Sequence, residues 1–132
     1  MLTGTCLCGE VGWTFDGHPG TATACNCTAC RRYATLWIYD WVGGRIAVTG
    51  TTRYYVRPRD DAVLGFHFCP TCGCVTHWQG LGPNPDGRTR IAVNVRLSEP
   101  ETVGHLPIRH FDGLVRFEAL PMDGRTVHDM WF

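Results

Sequence analysis

The chain has 132 residues, of which 44 % are hydrophobic and 18 % are charged, and its formal net charge is zero. This composition excludes a disordered chain, because disorder combines low hydrophobicity with high net charge. All twelve basic residues are arginine, which excludes the mechanisms that depend on a Schiff-base lysine, a P-loop lysine or a Ser–Lys pair.

The length predicts one domain over residues 1–132. The N-terminus has neither the basic start nor the apolar run of a targeting segment. No stretch approaches the roughly 18 apolar residues that a membrane span needs. We therefore expect a cytoplasmic protein that does not associate with a membrane.

Hydrophobic patterning predicts short β-strands along most of the chain. In chain order they are expected at 11–15, 35–42, 45–49, 52–56, 65–68, 75–78 and 91–97. The last segment shows the clearest two-residue alternation. One helical turn is predicted at Thr28–Tyr33, and a tight turn at 84–87. Together these elements favour a mainly β fold of small, mostly antiparallel sheets, stapled by metal.

Eight cysteines fall into three tight clusters and indicate metal binding. They are Cys6, Cys8, Cys25, Cys27, Cys30, Cys69, Cys72 and Cys74. In a reducing compartment clustered cysteines more often bind metal than form disulfides. Such short spacings let two thiolates turn toward one ion, as in zinc sites. We favour zinc over disulfides and over an iron–sulfur cluster, because the ferredoxin spacings are missing.

The coordination number of zinc indicates only in part how the eight cysteines are distributed between two ions. A structural zinc takes four protein ligands, whereas a reactive zinc keeps one position open beside three. Four cysteines can complete a closed site: Cys6, Cys8, Cys69 and Cys72. Three can hold a second zinc with one position free: Cys25, Cys27 and Cys30. Cys74 remains, and spacing does not decide whether it completes the second site.

Several polar side chains near these clusters have both a functional and a structural interpretation. His67 lies two residues before Cys69, and we favour a half-buried strand residue over a contact with the metal site. His110 is either a pocket residue or part of a turn. Arg31 and Arg32 follow Cys30 directly, where they could bind a carboxylate, balance the thiolates or provide surface charge.

Three ordered motifs resemble the glutathione-dependent formaldehyde-activating enzyme family. They are Cys6-Leu7-Cys8-Gly9-Glu10-Val11, Cys25-x-Cys27-x-x-Cys30-Arg31 and Phe68-Cys69-x-x-Cys72-Gly73. Segments 93–96 and 110–113 are also similar to stretches common in that family. The resemblance spans about 4–113, which we take as the core, and leaves a C-terminal segment, 114–132.

The resemblance implies two zinc ions per chain and a carbon–sulfur lyase activity. It assigns a structural zinc to Cys6, Cys8, Cys69 and Cys72. It assigns the functional zinc to Cys25, Cys27 and Cys30, as ligands and not as covalent nucleophiles. The implied reaction joins glutathione, or a similar thiol, to formaldehyde or another small aldehyde.

The alternative function is that of a non-catalytic binding module. A domain of the same family occurs in centromere protein V, so a zinc-stapled module for a protein or nucleic-acid partner is conceivable. Nucleic acid is not expected, since the chain has no net positive charge and no basic arm.

Overall fold

The structure, a computed structural model, describes residues 1–131 and is mainly β, as predicted. Its strands are β1 Leu2–Thr5, β2 Gly12–Phe15, β3 Ala22–Cys25, β4 Trp37–Trp41, β5 Ile46–Thr49, β6 Arg53–Tyr55, β7 Leu64–Phe68, β8 Val75–Gly80, β9 Arg90–Asn94, β10 Ile108–Asp112 and β11 Glu118–Ala119. Two short α-helices are present, α1 Thr28–Tyr33 and α2 Pro100–Val103, with 3₁₀ turns at Val95–Leu97 and His128–Met130.

The strands form two unequal sheets that are antiparallel except at one pairing. The smaller sheet has the order β1-β2-β5. The larger one has the order β11-β10-β3-β4-β9-β8-β7-β6. Among the strand pairs of residues 1–131, β10 and β3 alone run parallel, and their register sets Phe111 beside Cys25. The C-terminal part of the chain therefore contributes a strand directly beside a cysteine of the second cluster.

Strand alternation gives the larger sheet two different faces. One face packs against the smaller sheet and forms the main core, in which Ile38, Val93 and Ile108 meet Trp13 and Phe15. Successive side chains of a strand point to opposite faces. Residues next to these three, such as Tyr39 in β4, Ala92 in β9 and Arg109 in β10, therefore lie on the other face.

The predicted strand at 91–97 ends earlier, at Asn94. The Asn94 amide interrupts the ladder: its oxygen accepts the Arg96 N–H at 3.1 Å, and its nitrogen donates to the Val75 carbonyl at 2.8 Å. The chain then turns into the 3₁₀ segment. Side-chain capping thus stops a pattern that hydrophobicity alone would continue. The helical turn Thr28–Tyr33 has the predicted bounds.

Candidate metal centres and the adjoining cavity

The first cysteine cluster joins turns from the two sheets. Cys6 and Cys8 follow β1, and Cys69 and Cys72 follow β7. The four sulfurs lie within 4.8 Å of one another. The Sγ atom of Cys8 is 3.6 Å from that of Cys6 and 3.6 Å from that of Cys69. A tetrahedral site with metal–sulfur bonds of about 2.3 Å separates its sulfurs by about 3.8 Å, so this donor set fits a thiolate-binding ion.

Both turns of the first cluster have the same backbone construction. The Gly9 N–H donates to the Cys6 carbonyl at 3.0 Å, and the Gly73 N–H donates to the Cys69 carbonyl at 2.9 Å. The two glycines have φ of 83° and 80°, a conformation that glycine adopts without steric cost. Each turn therefore contains a glycine in the left-handed region. These turns bring the cysteines of each pair round to the same side.

The protons of the first cluster are shared unequally. The backbone N–H groups of Cys74 and Cys8 lower the pKa of Cys72 to about 6. The Glu10 N–H favours the Cys8 thiolate, but partial burial and the neighbouring sulfurs raise the pKa of Cys8 to about 12. Without a cation, all four thiols cannot ionise together. A divalent ion removes that restriction, because binding displaces the remaining protons.

The second cluster is built where β3 passes into α1. Cys25 ends β3, Cys27 is the N-cap of α1 and Cys30 lies in the helix. The three sulfurs also lie within 4.8 Å of one another. The Cys27 sulfur accepts the Cys30 N–H at 3.3 Å, and the Cys30 sulfur accepts the indole N–H of Trp37 at 3.2 Å. One helical turn thus holds the cluster together.

Hydrogen bonds concentrate the negative charge of the second cluster on one sulfur. Hydrogen bonds from the Cys25 and Cys30 thiols lower the pKa of Cys27 to about 2. Hydrogen bonds with the Cys25 and Cys27 sulfurs, together with burial, raise the pKa of Cys30. Three sulfur donors are one fewer than a tetrahedral ion accepts. The cluster could therefore hold a metal ion with one position left for another ligand.

A tightly fixed loop after β10 covers the second cluster. The Asp112 carboxylate accepts the N–H groups of Val115 and Arg116 at 3.1 and 3.2 Å, which lowers its pKa to about 2. The Asn26 amide nitrogen donates to the same carboxylate at 3.2 Å. The loop brings Gly113 so close that a Cβ there would lie 2.6 Å from the Cys25 sulfur. The site therefore requires glycine at this position.

The three thiols of the second cluster lie in the wall of a cavity of about 1120 Å³. Its walls are the outer face of the larger sheet and the loops at 57–63, 81–84 and 113–117, and they are strongly aromatic. The aromatic members are Trp37, Tyr39, Phe66, Trp78, Phe111 and Phe117. Burial raises the pKa of Tyr39 to about 12, so its phenol stays protonated at neutral pH. The charged members are Arg57, Arg59, Asp61, Arg90 and Arg109.

The histidines lie away from this cavity. The ring centroids of His67 and His77 are 4.3 Å apart, and His67 accepts from or donates to the Thr52 hydroxyl at 2.9 Å. His67 is half-buried in β7, in line with the favoured interpretation. His110 contacts Asp123 at 3.2 Å and does not line the cavity.

The remaining candidates near the cysteines have structural surroundings. The Arg31 guanidinium donates to the Asn26 carbonyl at 2.8 Å, and Arg32 donates to the Thr28 carbonyl at 3.3 Å. Cys74 lies beside the first cluster, where its sulfur accepts the Leu7 N–H at 3.4 Å. Cys74 is therefore remote from the second cluster, to which the sequence had left it as an alternative fourth ligand.

Sequence reasoning missed Tyr39, Arg90, Arg109 and Gly113 as site residues. Tyr39 and Arg90 lie in strands whose apolar pattern showed only that a sheet was present. Arg109 and Gly113 reach the site through the parallel pairing of β10 with β3, which no local pattern announces. The segment 110–113 did carry a signal, but Phe111 and Gly113, and not His110, face the cavity.

Fold and site together define a mainly β protein with two thiol clusters that could each hold a metal ion. The family model described as "Glutathione-dependent formaldehyde-activating enzyme" matches residues 1–103. The chain belongs to this family.

A crystal structure of a Rhodobacter sphaeroides protein is similar in fold. Its TM-score is 0.59 and its sequence identity 24 %, and the alignment covers 81 % of this chain and 99 % of that one. A comparison with curated proteins finds no significant match. The helices within residues 1–131 are too short or too polar to cross a membrane.

Proposed function

We propose that this protein is an enzyme that joins a thiol, glutathione or a similar compound, to formaldehyde or another small aldehyde. One observation carries the proposal: the thiols of Cys25, Cys27 and Cys30 lie in the wall of a cavity of about 1120 Å³. A metal that only held the fold together would need no such space, whereas a thiol and an aldehyde need a place to meet. The description of the family names both substrates.

We further propose zinc as the ion of both clusters, because four- and three-thiolate donor sets suit it. The ion at Cys6, Cys8, Cys69 and Cys72 would be structural, since four sulfurs close the coordination shell. The second ion would be held by Cys25, Cys27 and Cys30. When bound there, zinc supplies a Lewis acid that lowers a thiol pKa and polarises a carbonyl oxygen. We also propose a cytoplasmic location, because eight free thiols suit a reducing compartment. We propose that the chain forms a single domain.

The protein side chains then have to bring the two reactants together and hold them in a reactive orientation. In the reaction the substrate sulfur bonds to the carbonyl carbon, the carbon–oxygen double bond becomes single, and the thiol proton ends on that oxygen. Aromatic walls such as Trp78 and Phe111 exclude water and confine both reactants, which raises their effective concentration. The Tyr39 phenol in the same wall can donate a hydrogen bond to the oxygen.

The test is an exchange measurement on the metal-loaded protein. NMR exchange spectroscopy follows glutathione, formaldehyde and their adduct, with and without the protein. We expect faster exchange with the wild type, loss of the acceleration in Cys27→Ala, and its retention in Cys74→Ser. Cys74 is the matched control because it is a cysteine outside both proposed ligand sets. If the wild type accelerates no pair of thiols and aldehydes, the enzyme proposal is wrong and the binding module is favoured.

A further inference from the structure

The cavity beside the second cluster has a strong positive bias. Four arginines and a single acidic residue line it. Arg59 is paired with Asp61. The ion pairs found within residues 1–131 leave Arg57, Arg90 and Arg109 without a carboxylate partner. Guanidinium groups turned toward a cavity, with no protein carboxylate beside them, suit a negatively charged ligand.

Arg90 is held in place by the aromatic wall. Its guanidinium carbon lies 5.2 Å from the centroid of the Tyr39 ring and 5.7 Å from that of Trp78. Both rings line the cavity. Aromatic faces attract a guanidinium without using its N–H groups as donors to an acceptor atom. The rings thus orient Arg90 while its fork of donors stays available for a carboxylate.

Arg109 lies on the other side of β3 from Arg90, in the neighbouring strand β10. In the parallel pairing of β10 and β3 it lies beside Thr23, two residues before Cys25. Two strand residues span about 7 Å and neighbouring strands are about 4.8 Å apart, so the Cα of Arg109 lies about 8 Å from that of Cys25. Arg109 and Phe111 lie on the same face of β10, and both line the cavity. A ligand thiol at the cluster would place its own substituents within reach of this arginine.

We propose that Arg90 and Arg109 select thiol substrates that carry carboxylate groups, by binding those carboxylates at two places in the cavity wall, on either side of β3. This inference rests on the proposed function, because it concerns the thiol substrate of the same cavity. Charge-assisted hydrogen bonds from arginine are the strongest polar contacts that the cavity offers. Neutral thiols would have only the aromatic walls to bind, and Arg90 and Arg109 would distinguish the two kinds of thiol.

The experiment measures exchange kinetics with two thiols that differ mainly in charge. Glutathione carries two carboxylates, and its diester keeps the thiol and loses both. The variants are Arg109→Gln and Arg90→Gln, and Arg53→Gln is the matched control, because Arg53 is exposed and does not line the cavity. We expect a rise in KM for glutathione of about 10- to 100-fold in either cavity variant, the loss typical of a charged hydrogen bond. The KM for the diester should not change, and neither should any kcat.

Binding of S-methylglutathione separates failure of this inference from failure of the proposed function. This compound keeps both carboxylates and cannot react, and NMR titration measures its affinity directly. If the wild type has no activity, but Arg109→Gln and Arg90→Gln bind S-methylglutathione more weakly than the wild type does, the proposed function is wrong and the carboxylate contacts are supported. If both variants behave like Arg53→Gln in kinetics and in titration, the inference is wrong. Melting curves and Arg109→Lys, which keeps the charge and should restore part of the affinity, exclude a folding defect as the cause.

Discussion

Replacing Gly113 with alanine tests whether the loop after β10 shapes the second metal centre. The added Cβ would lie 2.6 Å from the Cys25 sulfur and 3.0 Å from the Cys27 Cβ. Ordinary contact begins at 3.4 Å. Either the Cys25 sulfur retreats by about 0.8 Å, the difference between these two distances, or the loop moves. The loop resists movement, because the Asp112 carboxylate accepts several of its backbone N–H groups.

A displacement of this size is large compared with the tolerance of a metal–sulfur bond. Such bonds vary by only about 0.2 Å around their ideal length. Disturbing the surroundings of a ligand typically costs about 10- to 100-fold in metal affinity. We expect a loss in that range at the second cluster of Gly113→Ala. The metal-free fold should lose only about 1–3 kcal/mol, which is the usual cost of an overpacked methyl group.

The assay is competition with a zinc chelator whose absorbance reports the metal it takes up. Gly82→Ala is the matched control, because Gly82 lines the same cavity and a Cβ there meets no atom within 4 Å. We expect the control to release the two proposed zinc ions like the wild type, and Gly113→Ala to release one of them at a much lower chelator concentration. Equal release by all three proteins would show that the loop does not constrain Cys25, and would refute the reasoning.

Three further predictions concern stability. Cys69→Ala should abolish the cooperative thermal melt, because structural zinc contributes on the order of 10 kcal/mol in small domains. Cys27→Ala should still melt cooperatively and lose only about 1 kcal/mol, because it removes the helix cap. Equal loss of stability in both variants would indicate that both sites are structural. Burial lowers the pKa of His77 to about 3 from 6.5, so only the unfolded chain gains a proton as the pH falls below 6.5. Denaturant unfolding should therefore show that the wild type loses about 2 kcal/mol more than His77→Gln between pH 6.5 and 5, and parallel pH profiles would contradict this. Cys74→Ser should cost about 1 kcal/mol of stability by denaturant unfolding. It should leave both proposed zinc ions bound, because Cys74 lies beside the first cluster without belonging to it. Loss of one zinc ion would show that Cys74 is a ligand.

The mainly β fold could be predicted because many strands carry their own signal. Val93 and its neighbours in β9 alternate clearly, and this strand lies at the centre of the larger sheet. β3 and β10 were missed because small or polar residues such as Ala22 and Arg109 give them little hydrophobic periodicity. Their strand geometry comes from pairing with each other across the length of the chain. Tertiary contacts, and not local propensity, specify such strands.

The cysteine clusters could be predicted because each is assembled from tight turns, which leave their spacing in the sequence. The Cys25, Cys27 and Cys30 group is formed by one strand end and one helical turn. The other residues of the cavity leave no such local pattern in the sequence. Tyr39, Arg90 and Arg109 come from three strands, and only the sheet register brings them to one face. Alternation predicts that a residue faces one side or the other, but the register decides which residues become neighbours.

The position of β10 has a consequence for how proteins of this architecture could diverge. The family model ends at residue 103, before β10 begins, yet β10 is an interior strand that supplies Ile108 to the core. All eight cysteines lie within the matched part, whereas Arg109, Phe111 and Gly113 lie beyond it. Deleting β10 would expose the core around Ile108, whereas substitutions at its outward-facing positions would leave that core covered. The two thiol clusters and the cavity residues of β10 thus come from different parts of the chain, so substitutions at Arg109 and Phe111 would change the cavity wall and leave every cysteine in place.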